Sequence, residues 1–142
     1  MGTYSHILLG LDLSEDSDKV ASKAANVATM NNAQMSAVHV IEPLSFAYGG
    51  DIPMDFSSVQ EEILKQAQKQ MQKIGERWNI PEERQYMVVG RPEDEIHAIA
   101  QDCNADLVIV GSHGRHGLAL VFGSTANGVL HGAHCDVLAV RV

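Results

Sequence analysis

The apolar positions of the chain gather into short unbroken runs, and between those runs they recur at helical spacing. Tyr4 to Leu13 (YSHILLGLDL) is an apolar run broken by His6 and Asp12, the pattern of a strand covered on both faces. Ser14 then stands where an N-cap belongs, followed by Glu15, Asp16 and Asp18, which favour the first turn of a helix. Val20, Ala24, Val27 and Ala28 mark that helix's buried face until Asn31-Asn32 ends it. Gln34 to Ile41 reads as a second strand, and the three elements together predict a right-handed βαβ unit.

Glu42 to Phe56 holds two prolines and Gly49-Gly50 without periodicity, so it reads as a long connection, either a binding lid or an exposed crossover. Ser58 with Glu61 has the spacing of a capping box, and Val59, Ile63, Ala67, Met71, Ile74 and Trp78 trace one face of a long helix. Gln85 to Val89 predicts a short third strand. Gly90-Arg91-Pro92 then turns into a helix whose buried face is Ile96, Ile99, Ala100 and Cys103. Leu107 to Val110 predicts a fourth strand that runs into glycines. A helix from about Ser124 to His131 and a final strand from Cys135 to Val142 complete the pattern.

Strands alternating with helices predict an α/β three-layer sandwich: a five-stranded parallel sheet in the order 3-2-1-4-5, with helices on both faces, as one domain over residues 1–142. That order makes the first and fourth strands neighbours, with the topological switch between them. Their carboxyl ends carry Asp12 and Gly111, where ligands bind in such folds.

Charge narrows the ligand. Ten basic against eighteen acidic side chains give a formal net charge of −8, which speaks against nucleic acid and membrane surfaces as partners. A phosphate here has to be held by local backbone donors. Cys103 and Cys135 form no CxxC and read as reduced and buried, as in a cytosol. There is no signal-peptide pattern and no apolar run near the ~18 residues of a membrane span, so a cytoplasmic location is expected.

The stretch from Ala105 to Thr125 (ADLVIVGSHGRHGLALVFGST) suits an anion, because glycines after a buried strand let bare N–H groups approach a ligand and the next helix adds its positive end. Gly111 and Gly114 would present amides to phosphates, with hydroxyls from Ser124 and Thr125; Ser124 can equally cap its helix. Asp12 either accepts from ribose hydroxyls or bonds loop amides and caps the first helix. His113 and Arg115 either reach a phosphate or stay in water. Val40 is either an adenine-side wall or plain core, and the two are compatible. The pairs His113/His116 and His131/His134 have metal-like spacing but lack a clear fourth ligand, and the helix dipole accounts for His131, so no metal is expected. GxxxxGK[ST] and GxSxG are both missing. No catalytic residue is assigned, and hydrolysis would be slow at most.

HILLGLDLSEDS, AVHVIEP, GRPEDEIHAIA, ADLVIVGSHGRHGL, GSTANGVL and CDVLAVRV together resemble the universal stress protein family along the whole chain. The resemblance implies a cytoplasmic homodimer paired through its last strand, here Val137–Val142, with a role in stress response. Family members that bind adenine nucleotides carry Gly-x2-Gly-x9-Gly-(Ser/Thr), whereas this chain has Gly111-x2-Gly114-x8-Gly123-Ser124, one residue fewer. Carried over by position, the family site comprises Gly10, Leu11 and Asp12 on the ribose and adenine side, Val40 on the adenine, Gly111, His113, Gly114, Arg115, Gly123, Ser124 and Thr125 around the phosphates, and Val110 as a further nucleotide-binding residue. Gly10 stands where some nucleotide-binding relatives have proline. The implied ligand is ATP or AMP, with Mg2+ accompanying ATP. The alternatives are a nucleotide-free dimeric interaction protein of the same fold and a slow ATPase.

Overall fold

The computed structural model describes residues 2–42, 56–112 and 128–142. Strand β1 (His6–Gly10) lies between β2 (Gln34–Ile41) and β4 (Leu107–Gly111). With β3 (Gln85–Val89) and β5 (Asp136–Val140) at the edges, the sheet has the order β3-β2-β1-β4-β5, and every pairing is parallel. The expected order is the observed one.

Alternation along the strands builds the layers. Ile7, Leu9 and Ile109 go to one face, under α1 (Ser17–Asn31) and α2 (Phe56–Trp78). Leu8, Val38, Val108 and Val110 go to the other, against α3 (Pro92–Asp102) and Val129. None of these seven strand side chains is more than 2% exposed, so both faces of the central strands are dry and their sequences cannot alternate with polar residues. Residues 128–130 are helical, and Gly128 lies so close to α3 that a Cβ there would stand 2.8 Å from Glu93 Cβ. No helix among the described residues is long and apolar enough to cross a membrane.

Several element ends differ from the sequence reading, each for a local reason. β1 is shorter than Tyr4 to Leu13. At its start, Tyr4 N–H donates to Asn31 Oδ1, and at its far end Leu13 takes φ 58° and bends the chain toward α1. Ser14 does not cap α1, which begins at Ser17 with Asp16 in the cap position. Ser14 instead accepts from two amides, through Oγ from Asp16 at 3.3 Å and through its carbonyl from Ser17 at 3.1 Å. Asn32 ends α1 as expected, in the left-handed region at φ 54°.

The Ser58/Glu61 capping box is overturned, because α2 is already helical at Phe56. Val59 and Ile63 are 50% and 39% exposed, so the buried stripe of that helix starts at Ala67 and runs through Met71 and Ile74. A 3-10 turn, Glu82–Arg84, precedes β3. Pro92 opens α3 as the pattern predicts. β5 is shorter than Cys135 to Val142 at both ends. The expected connection over 43–55 lies outside the described residues, as does most of the glycine-rich stretch.

Candidate functional site

The parallel pairing Leu9↔Ile109 carries β1 and β4 to the same level, so Gly10-Leu11-Asp12 leaves the sheet beside Val110-Gly111-Ser112. Gly10 is a packing position: a Cβ there would stand 2.9 Å from Val110 Cγ1 and 3.4 Å from Ile96 Cδ1. Its absent side chain therefore permits close approach between strand and helix. Val110 is 2% exposed and belongs to the α3-side core, so its side chain is wall and its backbone edges the crevice.

Leu11 is 6% exposed, and its backbone is engaged on both sides. Its N–H donates to the Val38 carbonyl at 2.9 Å, and its carbonyl accepts from His39 Nδ1 at 2.8 Å. His39 was not singled out in the sequence, although one polar residue inside the otherwise apolar AVHVI run is a signal of this kind. Val40, on the next strand over, is half-buried against the α3-side core and leaves part of its side chain open.

Asp12 is exposed. Its Oδ1 accepts from Ser14 N at 2.9 Å, Ser14 Oγ at 2.7 Å and Ser17 Oγ at 3.4 Å. These bonds fix the turn into α1, and Oδ2 takes no bond among the described residues. The carboxylate thus ties the loop, which is the loop-bonding reading of Asp12.

Gly111 is half-buried, and a Cβ on it would meet Val20 Cγ2 at 3.4 Å, an ordinary contact. The amino-terminal part of α1 therefore stands over the end of β4. Ser112 is 7% exposed. Its N–H donates to the Val140 carbonyl at 2.7 Å, while its Oγ is buried and has no hydrogen-bond partner among the described residues. A buried hydroxyl without a partner is uncommon, and this one sits where β4 opens into the glycine stretch. His113, Gly114, Arg115, Gly123, Ser124 and Thr125 lie outside the described residues. His131 and His134 are exposed, and no group of three or more His, Cys, Asp or Glu suited to a metal occurs among the described residues.

A parallel five-stranded sheet whose open crevice falls between β1 and β4 defines an α/β protein of the half-Rossmann kind. The family model described as the universal stress protein family matches residues 3–141. Universal stress protein A homolog 1 of Coxiella burnetii is 41% identical over 138 residues, which cover 96% of each chain. Universal stress protein A homolog 2 of the same organism is 42% identical over 146 residues, 100% of this chain and 98% of the relative. The chain belongs to the universal stress protein family. Among solved structures, UspA from Lactobacillus plantarum superposes with a TM-score of 0.80 at 21% identity over 99% of this chain and 100% of its own. A universal stress protein crystallised in complex with cAMP gives a TM-score of 0.68 at 21% identity, covering 97% of both chains.

Proposed function

We propose that this chain binds an adenine nucleotide, ATP or AMP, in the crevice at the carboxyl ends of β1 and β4, and that it serves the stress response by nucleotide-dependent sensing or signalling. The carrying observation is the convergence of Asp12 and Gly111, a hundred residues apart in sequence, at the switch point, beside an open face of Val40. The Ser112 hydroxyl, buried and without a partner among the described residues, adds a donor for an anion. The cAMP complex of a protein with this fold supports the ligand class.

In this reading Asp12 Oδ2 accepts from ribose, Val40 flanks the base, and Gly10, Leu11 and Val110 shape the wall. Gly111, His113, Gly114, Arg115, Gly123, Ser124 and Thr125 hold phosphate, with Mg2+ joining a bound ATP. The one-residue shortening between Gly114 and Gly123 favours a ligand with fewer phosphates. ATP hydrolysis has weaker support, because Asp12 Oδ1 is committed to Ser14 and Ser17. Residues 1–142 act as one cytoplasmic domain that pairs as a homodimer through β5.

The test is mass spectrometry of ligand released from the denatured protein, followed by calorimetry with ATP and AMP, with and without magnesium. A released adenine nucleotide and a Kd below about 100 μM are expected. Gly114→Val should abolish the heat, because its Cβ bulk would block the phosphate approach. No released nucleotide and no heat would favour the second reading, a nucleotide-free interaction protein, for which the edge position of β5 is the observation.

A further inference from the structure

At the opposite end of the sheet from Asp12 and Gly111, beneath the amino ends of β4 and β5, lies a cavity of about 450 Å³. That is within the range of small-molecule sites. It is walled by the carboxyl half of α3, the start of β4 and the turn entering β5. The space exists because the residues there are small: Ala100, Ala105 and Val108 form a buried or half-buried floor, where close-packed interiors leave few voids larger than a water.

Its polar groups are two imidazoles, His97 and the exposed His134, and two side-chain amides. His97 Nε2 donates to the Val129 carbonyl at 2.8 Å, so Nδ1 is the ring nitrogen left for a ligand. Gln101 and Asn104 are exposed amides at the mouth, and Asn104 is held in the left-handed region at φ 56° just past the end of α3. No lysine or arginine lines the cavity. The nearby field is negative: α3 ends here without a basic residue in its last turn, and Asp102, Asp106 and Asp136 each adjoin a lining residue or the helix end. Burial first, then the charges of Asp136 and Asp106, push the Cys135 thiol above its usual range.

We propose that this cavity is a second ligand site, separate from the nucleotide crevice, for a small compound that donates hydrogen bonds and carries no negative charge, of the amide or amidine class. Acceptors at His97 and the two amide oxygens match such donors. The carboxylates and the helix end repel an anion of the same shape.

Benzamide, benzamidine and benzoate share one shape with one another and differ in charge, so they serve as probes, each titrated into the 15N-labelled full chain. Benzamide and benzamidine should give saturable shifts at the Gln101, Asn104 and Cys135 amides with Kd on the order of 1 mM, and benzoate should bind at least about tenfold more weakly. Asn104→Gly keeps the left-handed backbone, removes one amide and should weaken both binders by about tenfold. Ala133→Leu fills the mouth and should abolish the shifts. The proposal is overturned by benzoate binding as well as benzamidine, by no saturation up to about 10 mM, or by shifts centred on Asp12 and Gly111 instead. If Ala133→Leu fails to fold, Asn104→Gly decides alone, and unchanged binding in it overturns the site.

Discussion

Asp106 joins the beginning of the chain to its fourth strand. It stands just before β4, and its carboxylate accepts from Ser5 N at 2.9 Å, Ser5 Oγ at 3.0 Å and His6 N at 3.1 Å. Burial acts to raise its pKa, but the three hydrogen bonds outweigh that and hold it below the ordinary 3.8. A depressed carboxylate stabilises the fold above its unfolded pKa and loses that contribution as pH falls through its native value. Asp106→Asn should therefore lower stability at pH 7 by roughly 1 kcal/mol, discounted for solvent exposure. Urea midpoints of the two proteins should converge below pH 3.8, and a gap that persists there would count against this account. Residues of this kind were hidden in the sequence, because neither Asp106 nor Ser5 belongs to a periodic pattern. Asp12 was legible as a special carboxylate, since it ends an apolar run, but its bonds to Ser14 and Ser17 depend on a turn that no spacing specifies.

Strand and helix positions were read well wherever burial imposes a period. β2 and β3 have the predicted bounds, and Pro92 opens α3 as its missing N–H allows. The reading failed where a surface pattern imitates a buried one, as at Val59 and Ile63. It also missed Gly75, which sits inside α2 without any turn to require it. A Cβ there would stand 2.8 Å from the Ile80 carbonyl and would crowd the Gln85 amide that donates to that carbonyl at 2.8 Å. Gly75→Ala improves helix propensity by about 1 kcal/mol, yet it must break that bond and move backbone. The expected net result is a loss of about 1–2 kcal/mol, read as a lower urea midpoint with an unchanged slope. The same helix is tied to α1 by Arg77 and Trp78, which both donate to Asp18, at 2.7 and 3.3 Å. The Arg77 pair is exposed and contributes little beyond orientation.

For the molecule as a whole, the proposed dimer turns on the open edge of β5. The Val140 carbonyl accepts from Ser112 N–H, so the polar backbone groups of Val140 face β4 and those of Ala139 face the open edge. Ala139→Pro therefore removes an outward donor and spares the ladder to β4. Sedimentation should show dimer association weakened at least about tenfold in favour of monomer, with native circular dichroism. A variant that sediments like the parent would remove β5 as the pairing surface. Fold class and strand order were legible because parallel βαβ connectivity leaves few arrangements. The proposed phosphate side of the crevice rests on a motif alone, since its residues from His113 to Thr125 lie outside the described residues.

The central place of β1 also governs how the chain is made. Its second neighbour, β4, is synthesised about a hundred residues after it, so until then the apolar β4-facing edge of β1 has no strand to pair with. Closure waits for Leu107–Gly111 to emerge, and Asp106 arrives with that strand to fasten Ser5 and His6. The interval between those two events is when the nascent chain is most exposed to aggregation and to capture by chaperones.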